Sequence, residues 1–204
     1  MNQGLYGPAV LRESDLTSIV CLGNDVCGLD EAGRGPLVGP VCAAAVVLPD
    51  NFSFGLLDDS KALSAAKREL AYQAIVSGAV DWAIGWATWE EIGSLNILHA
   101  SLLAMRRAFD ALDGIPRIAF VDGNKAPSLF CPTFPVIKGD SLIPSIMAAS
   151  ILAKVARDRL MCRLDVLEPV YGFCRHKGYP TKEHRETIKK TGLSLWARPG
   201  FKIS

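Results

Sequence analysis

The stretch that decides the fold is residues 26–48, VCGLDEAGRGPLVGPVCAAAVVL. Apolar residues lead into Asp30, a turn rich in glycine and proline follows, and an apolar run from position 41 to 48 ends before Pro49. Two short apolar runs on either side of Gly and Pro are typical of two strands joined by a tight turn. The stretch therefore predicts a β-hairpin with strands at 26–30 and 41–48.

Beyond the hairpin, helix and strand patterns alternate without a repeat or a long linker. Apolar residues at helical spacing predict helices at 64–77, with Ser64 as the N-cap, and at 96–112, 141–167 and 182–191. Short or alternating apolar runs predict further strands at 79–88, 117–121 and 134–137. Pro144 is compatible with the longest helix because it falls in the first turn. We therefore expect an α/β protein.

Size and composition fit one main domain. Half of the 204 residues are hydrophobic, which is enough for a core without disulfides or a structural metal. The longest apolar run, 41–48, is far shorter than the roughly 18 residues of a membrane helix, so we expect no membrane segment. The six cysteines form no CxxC pair, which favours a reduced, cytoplasmic protein. A monomer is the default expectation.

The net charge of +1 combines two oppositely charged parts. Residues 1–153 hold ten Lys and Arg against sixteen Asp and Glu, whereas residues 154–204 hold twelve against five. An acidic part that gathers cations beside a basic part that holds phosphates is typical of a metal-using nucleic-acid enzyme. A solvated basic C-terminal helix would explain the same counts equally well, so charge alone leaves both interpretations open.

Four acidic residues follow predicted strands. Asp30 and Glu31 are adjacent at the end of the first strand, Asp122 follows strand 117–121, and Asp140 comes shortly after strand 134–137. Acids that leave a strand for a loop are often only solvated, and spacing does not prove that they converge. If they converge, their oxygen atoms favour Mg²⁺ or Mn²⁺ over zinc. Zinc is disfavoured further because the three histidines and nearby cysteines lack a usual zinc-ligand spacing.

Several motifs resemble those of one enzyme family. The most specific is Gly28-Leu29-Asp30-Glu31-Ala32-Gly33-Arg34-Gly35-Pro36-Leu37, followed by Gly39-Pro40-Val41. The later motifs are Asp59-Ser60-Lys61 with Leu63-Ser64, Lys67-Arg68-Glu69, Val121-Asp122-Gly123-Asn124, Lys138-Gly139-Asp140, Ala148-Ala149-Ser150-Ile151-Leu152-Ala153-Lys154-Val155 with Arg157-Asp158, and His176-Lys177-Gly178-Tyr179-Pro180-Thr181. Together they run through about three quarters of the chain, and they resemble the ribonuclease HII family of bacteria.

The resemblance implies a fold and an activity. The fold would be a ribonuclease H-like mixed β-sheet flanked by helices at 1–167, with a small, basic helical C-terminal extension at 168–204 packed on it. The enzyme would hydrolyse the RNA strand of RNA/DNA hybrids and cut 5′ of ribonucleotides embedded in duplex DNA. Asp30, Glu31, Asp122 and Asp140 would be its catalytic, metal-binding acids. Two Mg²⁺ or Mn²⁺ ions would activate a water and stabilise the leaving 3′-oxygen, which gives 5′-phosphate and 3′-hydroxyl ends.

The resemblance also implies that Gly33-Arg34-Gly35 and Tyr179 bind the substrate. The glycines would let backbone groups of the turn touch a ribose 2′-hydroxyl, the group that distinguishes RNA from DNA. Tyr179 would pack against the sugar that follows the ribonucleotide. From pattern alone, the first is equally well a tight turn with a surface arginine, and the second an ordinary aromatic residue of a loop.

Further substrate contacts are expected from basic and polar residues. By the resemblance, Asn124 and Lys154 contact the nucleic acid, and Arg157 and Lys177 are candidates to hold phosphates. Lys154 and Asp158 are also spaced as an ordinary ion pair on a helix surface, whereas Asp158 could instead support the site from behind. Trp82, Trp86 and Trp89 are expected in the core rather than as a platform for bases.

Two other functions fit parts of the pattern. Another nuclease of the ribonuclease H-like fold, acting on DNA junctions or as an integrase, would share the acids. A hybrid-binding module without activity is disfavoured because a pure binder gains nothing from carboxylates placed against phosphate. One region departs from the family: residues 195–201, LWARPGF, replace a basic tail of the His-Arg-x-Ser-Phe type, which leaves the tail's contacts to nucleic acid open.

Overall fold

The fold is built on one mixed sheet. The computed structural model describes residues 25–53, 55 and 64–202. Within these ranges the strands are β1 (Val26–Ala32), β2 (Val41–Val47), β3 (Asp81–Ala87), β4 (Ile118–Asp122) and β5 (Thr133–Val136). Their order in the sheet is β3-β2-β1-β4-β5. β1, β2 and β3 are antiparallel neighbours, whereas β4 and β5 run parallel to β1. The predicted hairpin and mixed sheet are confirmed.

The first strand is longer than the sequence predicted. Glu31 still pairs with Ala43 of β2, and Ala32 pairs with Cys42. The prediction that the strand ends at Asp30 was therefore wrong, because the ladder to β2 continues for two more residues. The chain leaves the strand at Gly33, whose φ of +100° lies in the region that favours glycine.

Six helices surround the sheet in the described part of the chain. They are α1 (Ala65–Gly78), α2 (Trp89–Leu95), α3 (Ile97–Asp110), α4 (Pro144–Leu167), α5 (Phe173–His176) and α6 (Lys182–Thr191), with short 3₁₀ turns at Gly139–Ser141 and Pro169–Tyr171. Ser64 caps α1 as predicted, since its hydroxyl accepts from the Lys67 N–H at 3.3 Å. Helix α2 was not predicted. No described helix is both long enough and apolar enough to cross a membrane.

The two faces of the sheet are covered by different helices at very close range. On one face, a Cβ added at Gly28 of β1 would lie 2.1 Å from the backbone of Ser145 in α4. On the other, a Cβ at Gly85 of β3 would lie 2.1 Å from the carbonyl oxygen of Ala104 in α3. Small residues at these contacts let the buried apolar side chains pack, each contributing about 1.5–3 kcal/mol when fully buried. The start of α4 is thereby fixed against the strand that carries Asp30.

The C-terminal part of the chain packs on the turn between β1 and β2. Leu37 and Val38 of that turn share a buried apolar cluster with Met161, Phe173 and Ile188. The Leu37 N–H donates to the Gly178 carbonyl, and the Gly39 N–H donates to the Trp196 carbonyl, each at 2.9 Å. Residues 168–202 therefore support the turn directly.

The cysteines do not all remain reduced in the structure. Cys162 of α4 and Cys174 of α5 form a disulfide, whereas Cys27, Cys42 and Cys131 are free. The expectation of a fully reduced protein was wrong on this point. The two bonded residues lie 12 positions apart on separate helices, a spacing that carries no sequence signature of a disulfide.

Candidate active site

Asp30 and Asp122 lie at the same edge of the sheet. β1 and β4 are parallel, with Leu29 opposite Val121, so the acids that follow these two residues are neighbours across the ladder. Asp30 is only 6% exposed, and Asp122 is half-buried. The sheet thus brings together two of the acids that the sequence singled out.

Asp140 joins this edge from the 3₁₀ turn that follows β5. β5 lies beside β4, with Val136 opposite Asp122. Lys138 then adopts a left-handed backbone conformation, with φ of +59°, at the start of the turn. The backbone N–H of Asp140 donates to Oδ1 of Asp122 at 3.2 Å, and the Asp140 side chain is buried. A third predicted acid is therefore in direct contact with the second.

Glu31 extends the acidic edge toward solvent. Its backbone N–H donates to Oδ1 of Asp30 at 2.7 Å, and its side chain accepts from Nη1 of Arg34 at 3.3 Å. We name Asp30, Glu31, Asp122 and Asp140 the acidic edge. All four acids predicted from the sequence lie on the ends of β1 and β4 or on the turn beside them.

The two acids at the end of β1 have raised pKa values. Burial raises the pKa of Asp30 well above its ordinary value, and the charges of Glu31 and Asp122 raise it further, against the opposing effect of a Ser150 hydrogen bond. Burial also raises the pKa of Glu31, which the Arg34 guanidinium partly offsets. Repulsion among neighbouring carboxylates is what a bound cation would relieve.

The donor atoms of the acidic edge fit a hard divalent cation. They are carboxylate oxygens, which Mg²⁺ and Mn²⁺ prefer, without a histidine or thiol that would favour zinc. Across the described residues, however, no group of three or more His, Cys, Asp or Glu side chains is closed into a metal-binding cluster. The structure therefore shows neighbouring carboxylates of the right chemistry rather than a formed coordination shell.

A cleft joins the acidic edge to the turn between β1 and β2. Its walls combine an acid, the glycine turn, basic side chains and an aromatic ring: Glu31, Ala32, Gly33, Arg34, Gly35, Arg68, Ser150, Ile151, Lys154 and Tyr179. Tyr179 is 41% exposed, and its ring lies so close to Gly35 that a Cβ there would be 3.5 Å from Cε1. The structure thus brings the predicted turn and tyrosine to one cleft.

The three basic residues that were expected to hold phosphates differ in their positions and partners. Lys154 lines the cleft, but its Nζ is also 2.6 Å from Oδ1 of Asp158, so the helix ion pair considered from the sequence is present. Arg157 is 1% exposed and donates to backbone carbonyls. The expectation that Arg157 holds a phosphate was wrong because its guanidinium is buried. Lys177 points toward the disulfide, with Nζ 2.8 Å from the Cys174 carbonyl oxygen.

Other expectations concern residues away from the cleft lining. Asn124 is exposed two residues beyond Asp122, and the cleft lining does not include it. Trp82 and Trp86 pack against the core as expected. The motif residues Asp59-Ser60-Lys61 and Leu63 lie outside the described residues.

Sequence reasoning missed three residues that support the cleft. Ser150 was named only as part of a motif, yet a hydrogen bond from its side chain lowers the pKa of Asp30. His184 holds the Tyr179 carbonyl through Nδ1 at 2.9 Å and stacks on His176 with ring centroids 4.2 Å apart. Arg198, in the atypical tail, donates to the backbone of the turn. Ser150 and Arg198 act through contacts between distant parts of the chain, for which local patterns carry no signal. His184 contacts residues only five and eight positions earlier.

The mixed sheet and the acidic edge at its strand ends define a nuclease of the ribonuclease H-like class. The family model described as Ribonuclease HII matches residues 27–203. A protein of Burkholderia mallei named Ribonuclease HII is 52% identical over 179 residues, which cover 88% of this chain and 84% of that protein. The chain belongs to the ribonuclease HII family. It is accordingly a phosphodiester hydrolase with ribonuclease H activity on RNA/DNA hybrids.

Solved structures agree with the fold. The crystal structure of ribonuclease H2 from Pyrococcus horikoshii matches with a TM-score of 0.72 and 26% identity, over 87% of this chain and 94% of that one. Bst-RNase HIII, solved in complex with Mn²⁺, matches with a TM-score of 0.66 and 18% identity, over 89% of this chain and 68% of that one. At this lower identity the second likeness concerns the fold alone.

Proposed function

We propose that this ribonuclease H cuts the RNA strand of RNA/DNA hybrids and also cuts 5′ of single ribonucleotides embedded in duplex DNA. The observation that carries the proposal is the shared cleft, in which Glu31 of the acidic edge lies beside Gly33, Gly35 and Tyr179. A carboxylate that would take part in hydrolysis and groups that would contact a sugar therefore line one surface.

The acidic edge supplies the hydrolytic part of the proposal. Its residues Asp30, Glu31, Asp122 and Asp140 would hold two divalent cations, Mg²⁺ or Mn²⁺. When bound, the cations supply a water of lowered pKa and neutralise the charge that develops on the leaving 3′-oxygen. Attack in line on the phosphate then leaves 5′-phosphate and 3′-hydroxyl ends. Arg34 and Lys154, on the cleft wall, balance the charge of the scissile strand.

The turn and Tyr179 supply the selectivity. Gly33 and Gly35 carry no side chain on the cleft wall, so the backbone can approach a ribose closely enough to contact its 2′-hydroxyl. The ring of Tyr179 covers Gly35 from one side and leaves its other surface exposed. A deoxyribose fits against that ring, whereas the 2′-hydroxyl of a following ribose would meet it. The cleft therefore favours the step from RNA to DNA.

The test compares Tyr179→Ala with Tyr179→Phe on two substrates, a duplex with one ribonucleotide and a long RNA/DNA hybrid. We expect Tyr179→Ala to lose roughly thirtyfold in kcat/KM at the single ribonucleotide, from about 2 kcal/mol of ring contact. The loss on the hybrid should be several times smaller. Tyr179→Phe should keep the wild-type ratio because it keeps the ring.

Phe130→Ala, which removes an aromatic ring that is 77% exposed, is the control for loss of a surface ring. Equal losses of Tyr179→Ala on both substrates would make Tyr179 a structural loop residue. A wild-type enzyme that leaves the single-ribonucleotide duplex intact in both Mg²⁺ and Mn²⁺ would refute the excision activity itself. Labelled 5′ and 3′ termini identify the ends that cleavage produces.

A further inference from the structure

The turn between β1 and β2 rests on two buried arginines from distant parts of the chain. Arg157 lies on α4 and Arg198 in the C-terminal tail, and they are 1% and 4% exposed. Neither guanidinium forms an ion pair with a carboxylate among the residues that the structure describes. Buried charges need polar partners, and here backbone carbonyls take that role.

Arg198 holds the whole length of the turn. Its side chain donates five hydrogen bonds of 2.6–3.2 Å to the carbonyl oxygens of Gly33, Arg34, Pro36, Gly39 and Pro40. Its backbone N–H donates to the Leu37 carbonyl at 2.9 Å. One residue of the tail therefore contacts six of the eight residues between Gly33 and Pro40.

Arg157 also supports the turn, and it links the turn to the loop that carries Tyr179. It donates to the carbonyls of Pro40 at 3.1 Å and Val38 at 3.2 Å, and to the Lys177 carbonyl at 3.0 Å. Gly33 packs directly on it, since a Cβ there would lie 2.0 Å from Nε of Arg157. The two sides of the cleft thus share one rigid base.

The direction of these carbonyls determines where the N–H groups of the turn point. In a trans peptide the C=O and the N–H of one unit point in opposite directions, and the structure has no cis peptide bond among its described residues. Because Arg198 draws the Gly33 and Arg34 carbonyls inward, the N–H groups of Arg34 and Gly35 point outward. Among the described residues, neither N–H donates to another backbone or side-chain atom.

We propose that Arg198 is a positioning residue for ribose recognition, which aims the N–H groups of Arg34 and Gly35 at the oxygen of the 2′-hydroxyl. The inference rests on the proposed function, because it assumes that the turn examines the ribose. Successive outward N–H groups of a turn form a concave donor site for an oxygen atom. Arg198 thereby acts on selectivity from beneath the cleft.

The substitution Arg198→Lys separates the positioning effect of the Arg198 side chain from the effect of its charge. Arg198→Lys keeps the positive charge, but three donors on one nitrogen cannot reproduce a planar fork of five N–H groups. The charge still attracts phosphates, whereas the Gly33 and Arg34 carbonyls lose their fixed direction. Arg198→Ala removes both contributions.

The experiment measures the dissociation constants of two duplexes of one sequence, all-DNA and with a single ribonucleotide, by fluorescence anisotropy. Ca²⁺ replaces Mg²⁺, and a gel confirms that the duplexes stay intact. We expect the wild type to prefer the ribonucleotide. Arg198→Lys and Arg198→Ala should lose about fivefold to tenfold of that preference, the fold-change of one or two hydrogen bonds. Arg198→Lys should bind the all-DNA duplex within about threefold of the wild type.

If a variant is only partly folded, both apparent dissociation constants rise by the same factor. Their ratio therefore reports the positioning of the turn and not the stability of the variant. Arg117→Lys is the control, because Arg117 is 79% exposed and pairs with Asp25. A wild-type ratio in Arg198→Lys, or equal weakening on both duplexes, would overturn the proposal. If the wild type shows no preference and leaves the ribonucleotide duplex uncut in Mg²⁺, the proposed function fails first. If Arg198→Ala does not fold, Arg198→Lys alone decides the question.

Discussion

The acidic edge is a cluster of like charge, and so are the two arginines beneath the turn, Arg157 and Arg198, which we name the arginine base. The two clusters are built in opposite ways. Asp30 is buried and Glu31 is half-buried beside Asp122, and burial raises the pKa of both carboxyl groups. Arg157 and Arg198 are buried beside each other, but eight side-chain hydrogen bonds to carbonyls surround them. Neighbouring carboxylates raise the pKa of Asp30 in the first cluster, an effect that a bound cation would relieve, whereas backbone carbonyls satisfy the guanidinium groups of the second.

The largest expected effect comes from Asp122→Asn. A neutral amide binds a hard cation poorly, so about 4 kcal/mol of transition-state stabilisation and roughly a thousandfold in rate should be lost. The amide oxygen can still accept from the Asp140 N–H, so the fold should persist. Single-turnover cleavage at saturating Mg²⁺ measures the loss, with the exposed Asp110→Asn as control. More than a tenth of wild-type activity would mean that the acidic edge is not the catalytic site.

Arg157→Met is expected to have an intermediate effect, which is a loss of stability. It leaves the carbonyls of Pro40, Val38 and Lys177 without their donor, at about 1–3 kcal/mol for each one that stays buried. We expect the free energy of unfolding to fall by about 3 kcal/mol in total, the lower end of this range, because removal of the buried charge offsets part of the loss. Arg159→Met, two residues further along α4 and half-exposed in an ion pair, should cost less than about 1 kcal/mol. Urea unfolding compares them, and equal losses would show that the carbonyls do not depend on the guanidinium.

The smallest expected effect is a gain in stability from Asp30→Asn. The pKa of Asp30 is raised on folding, so its contribution to stability is present below the ordinary carboxyl pKa and is lost as the pH rises through the raised value. At neutral pH the charged carboxylate opposes folding. We therefore expect Asp30→Asn to raise the free energy of unfolding by about 1 kcal/mol in EDTA. The gain should shrink toward pH 4. A variant that is less stable than the wild type at pH 7 would show that the acidic edge is not strained.

The family resemblance grouped the four acids of the acidic edge, and local patterns placed each acid at or just after the end of a strand. Apolar runs set the strands, and an acid at the end of a run falls at an edge of the sheet. Asp122 and Asp140 therefore lie close together although they are 18 positions apart in the sequence. The end of β1 was misjudged because pairing with β2 extends it, and helix α2 was missed because its seven residues are too few for a periodic signal.

The arginine base could not be predicted for a physical reason. A guanidinium that donates to backbone carbonyls leaves no trace in the partner's sequence, because every residue has a carbonyl. Arg157 therefore appeared as a phosphate contact, and Arg198 as part of an atypical tail. The resemblance located the turn and Tyr179, whereas only the structure shows what holds them.

Arg198 contacts a part of the chain that is synthesised much earlier than Arg198 itself. The contact from Arg198 to Gly33 joins residues 165 positions apart, and ribosomes synthesise chains from the N-terminus. A nascent chain that has emerged as far as α4 already contains Asp30, Asp122 and Asp140, but its turn still lacks the tail. The carboxylates of the acidic edge are thus synthesised well before the guanidinium that, in our proposal, aims the turn at the sugar, so ribose selectivity would be acquired after the acidic edge has been made.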